Sequence, residues 1–194
     1  MEETTIVIAG IGGQGVQLLS KVLAGAALAE GRHVMLAAEY GGEMRGGRSF
    51  ASVVIGAERL RSLPVIERAD IAIVLHEKFW EESAHLLRPG GLAFVETAFF
   101  DAVVEKTGQS DPPYRFAAFD GYDCAREAKS AMGAGLAMLG GLCAHAGLAR
   151  TDSLVSVMTE ITPPYRRQHV ATNEAAIRIG AARAPRLASL ESAA

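Results

Sequence analysis

Apolar positions along this 194-residue chain fall into runs whose period changes several times, and each change marks an element. Residues 5–9 form an unbroken, β-branched apolar run, the pattern of a central parallel strand covered on both faces. A glycine-rich stretch follows at residues 10–15, and then the period becomes helical. Val16, Leu19, Val22, Leu23, Ala26 and Ala27 share one face, and Gly31 closes that helix where a left-handed residue is wanted. Residues 33–37 and 49–55 read as the second and third strands. The loop between them, residues 38–48, holds four glycines and is too short for a helical crossover. The doubly wound pattern is therefore interrupted at this point.

Residues 71–75 form another buried strand, and a helix is predicted over 77–87. Pro89 and Gly90 predict a turn at residues 88–91 before a strand at 92–96. Residues 109–113 read as an exposed loop and 116–119 as a further strand. From residue 123 the pattern is helical, with segments near 123–131, 134–146, 153–160 and 165–182. Gly133, Gly135, Gly140 and Gly141 each weaken the second of these by roughly 1 kcal/mol relative to alanine, so close packing against a neighbour has to compensate. The expected fold is α/β: a single three-layer domain at residues 1–182 with a mostly parallel sheet. It has a Rossmann-like first strand, turn and helix, an atypical Gly-rich loop between strands two and three, and a helical C-terminal third. Residues 183–194 are expected to be a loose tail.

Composition narrows the function. With 19 basic and 22 acidic residues the net charge is -3, which offers no positive field for nucleic acid. The first residues lack the layout of a secretory signal, so a cytoplasmic protein is expected. Cys124 and Cys143 are too far apart for a CxxC pattern and have no histidine at zinc-ligand spacing, so neither a metal site nor a cluster is expected. Residues 130–148 carry no Asp, Glu, Lys or Arg, but glycine and alanine dominate them. A buried helix is expected there rather than a membrane span.

Gly10, Gly12 and Gly15 form GxGxxG between a strand and a helix, the context in which this pattern binds phosphate. Glycine lets the backbone turn sharply toward an anion, and the N–H groups at the helix start favour negative charge. Two readings stay open: a diphosphate, nucleotide or coenzyme A tail sits on the turn, or the glycines only permit tight strand-to-helix packing. Glu39 is the single candidate for the ribose-binding acid of a dinucleotide fold, and it comes slightly late. The loop Tyr40 to Arg48 reads YGGEMRGGR. In it Arg45 is suited to bind a carboxylate or phosphate, and Glu43 to orient it or to pair across an interface. His76 and Glu77 follow a buried strand and serve either as acid and base or, more simply, as caps of the next helix. Trp80 reads as packing. No nucleophile with a base and an orienting partner is visible, so no catalytic residue is assigned.

Two motifs in order resemble the gamma subunit, or gamma domain, of 2-oxoacid:ferredoxin oxidoreductases acting on pyruvate, 2-oxoglutarate, 2-oxoisovalerate or indolepyruvate. The first is GIGGQGV at residues 10–16, with Gln14 after the double glycine. The second is Tyr40, Gly41, Glu43, Arg45, Gly46 and Gly47, matching YGxExRGG. A weaker third likeness comprises Met138, Leu139 and Gly140, then Glu160, Asn173, Ala176 and Gly180; the asparagine the family often has before Met-Leu-Gly is replaced by residues 133–136. The resemblance implies a complex that converts a 2-oxoacid and coenzyme A to acyl-CoA and carbon dioxide and reduces ferredoxin. Thiamine diphosphate, Mg and iron–sulfur clusters are then held by alpha and beta subunits, with a ferredoxin-like delta subunit as an optional addition. It further implies that Gly10, Gly12, Gly13, Gln14 and Gly15 line a phosphate- or coenzyme A-facing site, while Tyr40, Glu43, Arg45, Gly46 and Gly47 face the catalytic partner. The isolated chain is expected to be inactive and to pair with itself through surfaces its partners normally cover. The rival readings are a stand-alone NAD(P)- or flavin-binding oxidoreductase and a non-enzymatic nucleotide-binding scaffold.

Overall fold

The computed structural model describes residues 3–40, 46–60, 66–108 and 112–184. β1 (Thr4–Ile11) runs into α1 (Val16–Ala29), then β2 (His33–Tyr40) and β3 (Arg48–Gly56). β4 (Ala69–Val74), α2 (Trp80–Leu86), β5 (Leu87–Glu96), α3 (Phe100–Thr107) and β6 (Arg115–Phe119) follow. α4 (Gly121–Glu127), α5 (Ala134–Ala146), α6 (Thr151–Ile161) and α7 (Val170–Arg183) complete the described chain. The strands lie in the order β2-β3-β1-β4-β5-β6. β1, β4, β5 and β6 are mutually parallel, whereas β3 runs antiparallel to both β1 and β2.

The interruption expected after the second strand is therefore a β-hairpin. β2 and β3 pair from His33 with Gly56 to Tyr40 with Ser49, and β3 inserts between β2 and β1. β1 lies in the interior of the sheet, as its apolar run predicts, but it is parallel to β4 on one side only. Alternation along it feeds both faces: Ile6 and Ile8 join one core and Val7 and Ala9 the other. The larger core collects α1, α4, α5, α6 and α7 against one face, and the smaller collects Trp80 of α2 and Val103 of α3 against the other. Trp80 is fully buried and donates its indole N–H to Thr107 Oγ1 at 3.0 Å.

Two departures from the periodic reading have simple causes. The expected turn at 88–91 is an irregularity inside β5, whose partner shifts from Ala69 with Leu87 to Ile71 with Leu92. Gly90 adopts φ +77° there and donates to Pro113 O at 2.6 Å. α3 spans only eight residues, which gives the periodic reading little to register, although Phe100, Val103 and Val104 share one face and Val103 is buried.

α5 is the buried helix its composition suggested, with residues 135–143 all buried. Its glycines are contact points. A Cβ on Gly140 would lie 2.3 Å from Ile177 O, and one on Gly141 2.7 Å from the Phe119 ring. Gly180 of α7 meets Ala137 O in the same way. The free cysteines Cys124 and Cys143 are buried, and burial raises both thiol pKa values, that of Cys143 to about 12. Among the described residues no helix is long and apolar enough to cross a membrane. α7 ends at Arg183, which pairs with Asp123 and with Glu127 of α4; residues 185–194 of the expected tail lie outside the described residues.

Candidate functional site

At the carboxyl end of β1 the backbone needs glycine at two places. Gly13 has φ +108° and Gly15 φ +83°, with open space where a Cβ would stand. Gly15 is the N-cap of α1, which has no side-chain cap and no acidic residue in its first turn. Its leading N–H groups are thus left for an outside acceptor, and the helix dipole favours an anion there.

Gln14 stands between the two left-handed glycines. Its Oε1 accepts the N–H of Ile11 at 2.9 Å, and its Nε2 donates to Leu75 O at 2.9 Å. The side chain therefore staples the end of β1 to the residue after β4, across the crevice where an open α/β sheet places ligands. Gly10 makes room for it: a Cβ there would sit 2.7 Å from Gln14 Oε1. Gln14→Ala leaves the Ile11 N–H and Leu75 carbonyl short of partners and should cost roughly 2 kcal/mol in denaturant unfolding. Gln14→Glu should not restore the loss, because a carboxylate accepts from Ile11 but opposes the Leu75 carbonyl.

The two sequence motifs meet in space. Gly12 donates to Gly47 O at 2.8 Å, and a Cβ on it would lie in ordinary contact with the backbone of Gly46 and Gly47, 3.4 Å from Gly46 N. Gly46 has φ +72°. Tyr40 pairs with Ser49 through the backbone at the end of β2. Glu43 and Arg45 lie outside the described residues.

Arg48 anchors the hairpin. Its Nε donates to Glu82 Oε2 at 2.9 Å, its Nη2 pairs with Glu82 Oε1, and its Nη1 donates to Glu39 Oε2 at 2.8 Å. These carboxylates raise its pKa, chiefly through the hydrogen bonds with Glu82. Glu39 is thereby tied to Arg48 on a strand that β3 separates from β1, so it is not placed like the ribose-binding acid of a dinucleotide fold. His76 acts as the cap that one reading expected: its Nδ1 accepts the Lys78 N–H at 3.2 Å.

The periodic reading passed over Glu96. It ends β5 and is only 2% exposed. Its Oε2 accepts the Gly121 N–H at 3.1 Å, while Oε1 is buried with no hydrogen-bond partner. Burial is the main cause that pushes its pKa up to about 7, with Asp120 adding to it and the N–H groups of Ala98, Gly121 and Tyr122 working the other way. Glu96 lines a pocket of about 240 Å³ that also touches Gly13, Gln14, Leu75, Tyr122 and the start of α5. Among the described residues no three His, Cys, Asp or Glu side chains converge to hold a metal ion.

A glycine turn on a mixed sheet, with the second strand displaced to the edge by a hairpin, defines an α/β domain outside the dinucleotide dehydrogenase order. The chain belongs to the pyruvate ferredoxin/flavodoxin oxidoreductase family, whose model matches residues 5–183. It is 30% identical over 162 residues to the 2-oxoglutarate synthase subunit KorC of Methanothermobacter marburgensis, covering 81% of this chain and 85% of that protein. It is 40% identical over 99 residues to the ketoisovalerate oxidoreductase subunit VorA of the same organism, covering 51% of this chain but only 20% of VorA's length. The fold matches the crystal structure of pyruvate oxidoreductase subunit PORC from Thermotoga maritima with a TM-score of 0.75 and 26% identity, over 94% of this chain and 97% of that one.

Proposed function

We propose that this chain is the gamma-type subunit of a multi-subunit, cytoplasmic 2-oxoacid:ferredoxin oxidoreductase. The complex decarboxylates a 2-oxoacid oxidatively with coenzyme A, giving acyl-CoA, carbon dioxide and reduced ferredoxin. The observation that carries the reading is the contact between the glycine turn and the Gly46–Gly47 segment, which joins the two motifs of the family into one surface.

Thiamine diphosphate with Mg supplies the carbanion chemistry in such a complex, and iron–sulfur clusters carry the electrons. With two cysteines in the whole chain, an all-cysteine cluster is assigned to the alpha, beta or delta-type partners. The role of this chain is to bind and position. The residues fit a phosphate-bearing cosubstrate: Gly13 and Gly15 expose backbone where a side chain would intrude, and the uncapped α1 faces that space. Tyr40, Glu43 and Arg45 are proposed to face the catalytic partner.

The test is native isolation of the tagged chain, in which subunits carrying thiamine diphosphate and clusters should co-purify. Arg45→Ala should lower both co-purification and turnover at least tenfold if its guanidinium pairs across the interface. Unchanged assembly and turnover in that variant would remove Arg45 from the proposal, and recovery of the tagged chain alone would remove the complex.

A further inference from the structure

We infer that the outer edge of β2 is an interface at which a second copy of this chain adds its own β2, antiparallel across a two-fold axis, so that two six-stranded sheets join into one. The inference rests on the sheet edge and on one flank of α1, and draws nothing from the glycine turn.

Among the described residues β2 pairs with β3 alone. An edge strand offers unpaired N–H and C=O groups to any strand that approaches, and folded proteins blunt such edges with proline, lysine, bulges or shortness. β2 has none of these devices. It spans eight residues in unbroken register with β3, carries no proline or lysine, and reads VMLAA from Val34 to Ala38 at its centre. The far edge is different: β6 spans five residues and opens with the exposed Arg115.

The strand is complementary to itself. Opposite residues of an antiparallel pair share a face, so two copies of one strand align only where even positions meet even and odd meet odd. With Leu36 opposite its own copy, His33 stands opposite Glu39 at both ends, and Met35 stands opposite Ala37. An imidazole thus meets a carboxylate, and apolar residues meet one another. Glu39 keeps its Oε2 on Arg48 while its side chain stays 63% exposed. The register centred on Ala37 sets Met35 against Glu39 instead and is disfavoured.

The helical layer matches the strand. Val34 and Leu36 face the core beneath α1, which packs over β2 and β3 alike. Strands about 4.8 Å apart then set the two α1 axes about 10 Å apart, a packing distance for helices. Gln17, Lys21, Ala24 and Leu28 form one stripe of α1, and Gln17 Nε2 reaches Phe50 O at 3.2 Å from it, so the stripe flanks the hairpin. α6 covers another flank, at Gly25. Leu28 is 56% exposed in one chain, and the antiparallel α1 of the second copy covers it. Lys21 lays its stem along that helix and keeps its ammonium group in water.

The test is the mass of the full chain in solution, by light scattering and by sedimentation, and a dimer is expected. Leu28→Lys and Met35→Lys, both at partly exposed positions, should each weaken the dimer about tenfold. Val104→Lys, on α3 across the sheet and 42% exposed, should leave it unchanged. Circular dichroism identifies the variants that fold. A monomeric wild type, or a dimer that folded Leu28→Lys and Met35→Lys variants leave intact, overturns the proposal. If the wild type is monomeric and the same substitutions stop another subunit from co-purifying, the edge belongs to that subunit and the second copy is again removed. Neither result touches the assignment to the complex, which native isolation tests separately.

Discussion

Gly180→Ala is expected to lower the thermal midpoint by roughly 10 °C, although alanine is the better helix former by about 1 kcal/mol. The reversed sign comes from the crossing of α5 and α7. A Cβ at residue 180 would stand 2.0 Å from Ala137 O and 2.7 Å from its carbonyl carbon, and both are backbone atoms that no rotamer change can move. A Cβ on Gly140 would likewise stand 2.3 Å from Ile177 O in the same crossing, so the two helices have no slack there and would have to separate along most of their contact. Overpacking of this kind costs about 3 kcal/mol, a large share of a domain stability of about 5–15 kcal/mol. Gly31→Ala is the control: it too replaces a glycine, but at φ +79° in open space, and should cost only about 1 kcal/mol. Equal effects at the two positions in thermal or urea unfolding would mean that the close approach does not govern stability.

Glu96 should make stability fall as pH rises. Its folded pKa is raised from 4.5 to about 7, so between those values the folded chain binds more protons than the unfolded one. The stabilisation is fully present below pH 4.5 and is lost as pH passes through about 7. The shift of about 2.5 units corresponds to roughly 3 kcal/mol. Glu96→Gln keeps an acceptor for Gly121 and removes the charge, so it should match the wild type at pH 4.5 and exceed it by up to about 3 kcal/mol at pH 8. Urea midpoints for both proteins across this range measure the difference directly. A constant offset at all pH values would assign the effect to packing instead of ionisation.

How much of this was legible in the sequence depends on what each residue does locally. The turn could be read because Gly13 and Gly15 are required by their own backbone and Gly10 by its close neighbour Gln14, and the α5 helix because small residues leave few alternatives to burial. The hairpin was half legible. The shortness of the loop excluded a crossover, but the insertion of β3 between β1 and β2 is set by pairing across the sheet. Gln14 was singled out as a family residue, yet its partner Leu75 is 61 positions away, so its stapling role appears only in three dimensions. Glu96 ends an apolar run as many surface glutamates do. Its burial follows from α4 and α5 folding over the strand end, and no local pattern distinguishes it.

The central claim, that this chain is an indispensable subunit of a 2-oxoacid oxidoreductase, is tested most directly by turnover of the complex assembled with and without it. The measurement is ferredoxin reduction dependent on a 2-oxoacid and coenzyme A. Activity should require the chain, return when it is added back, and be absent from the chain alone. Undiminished turnover without it, or NADH- or flavin-dependent oxidoreduction by the isolated chain, would contradict the account.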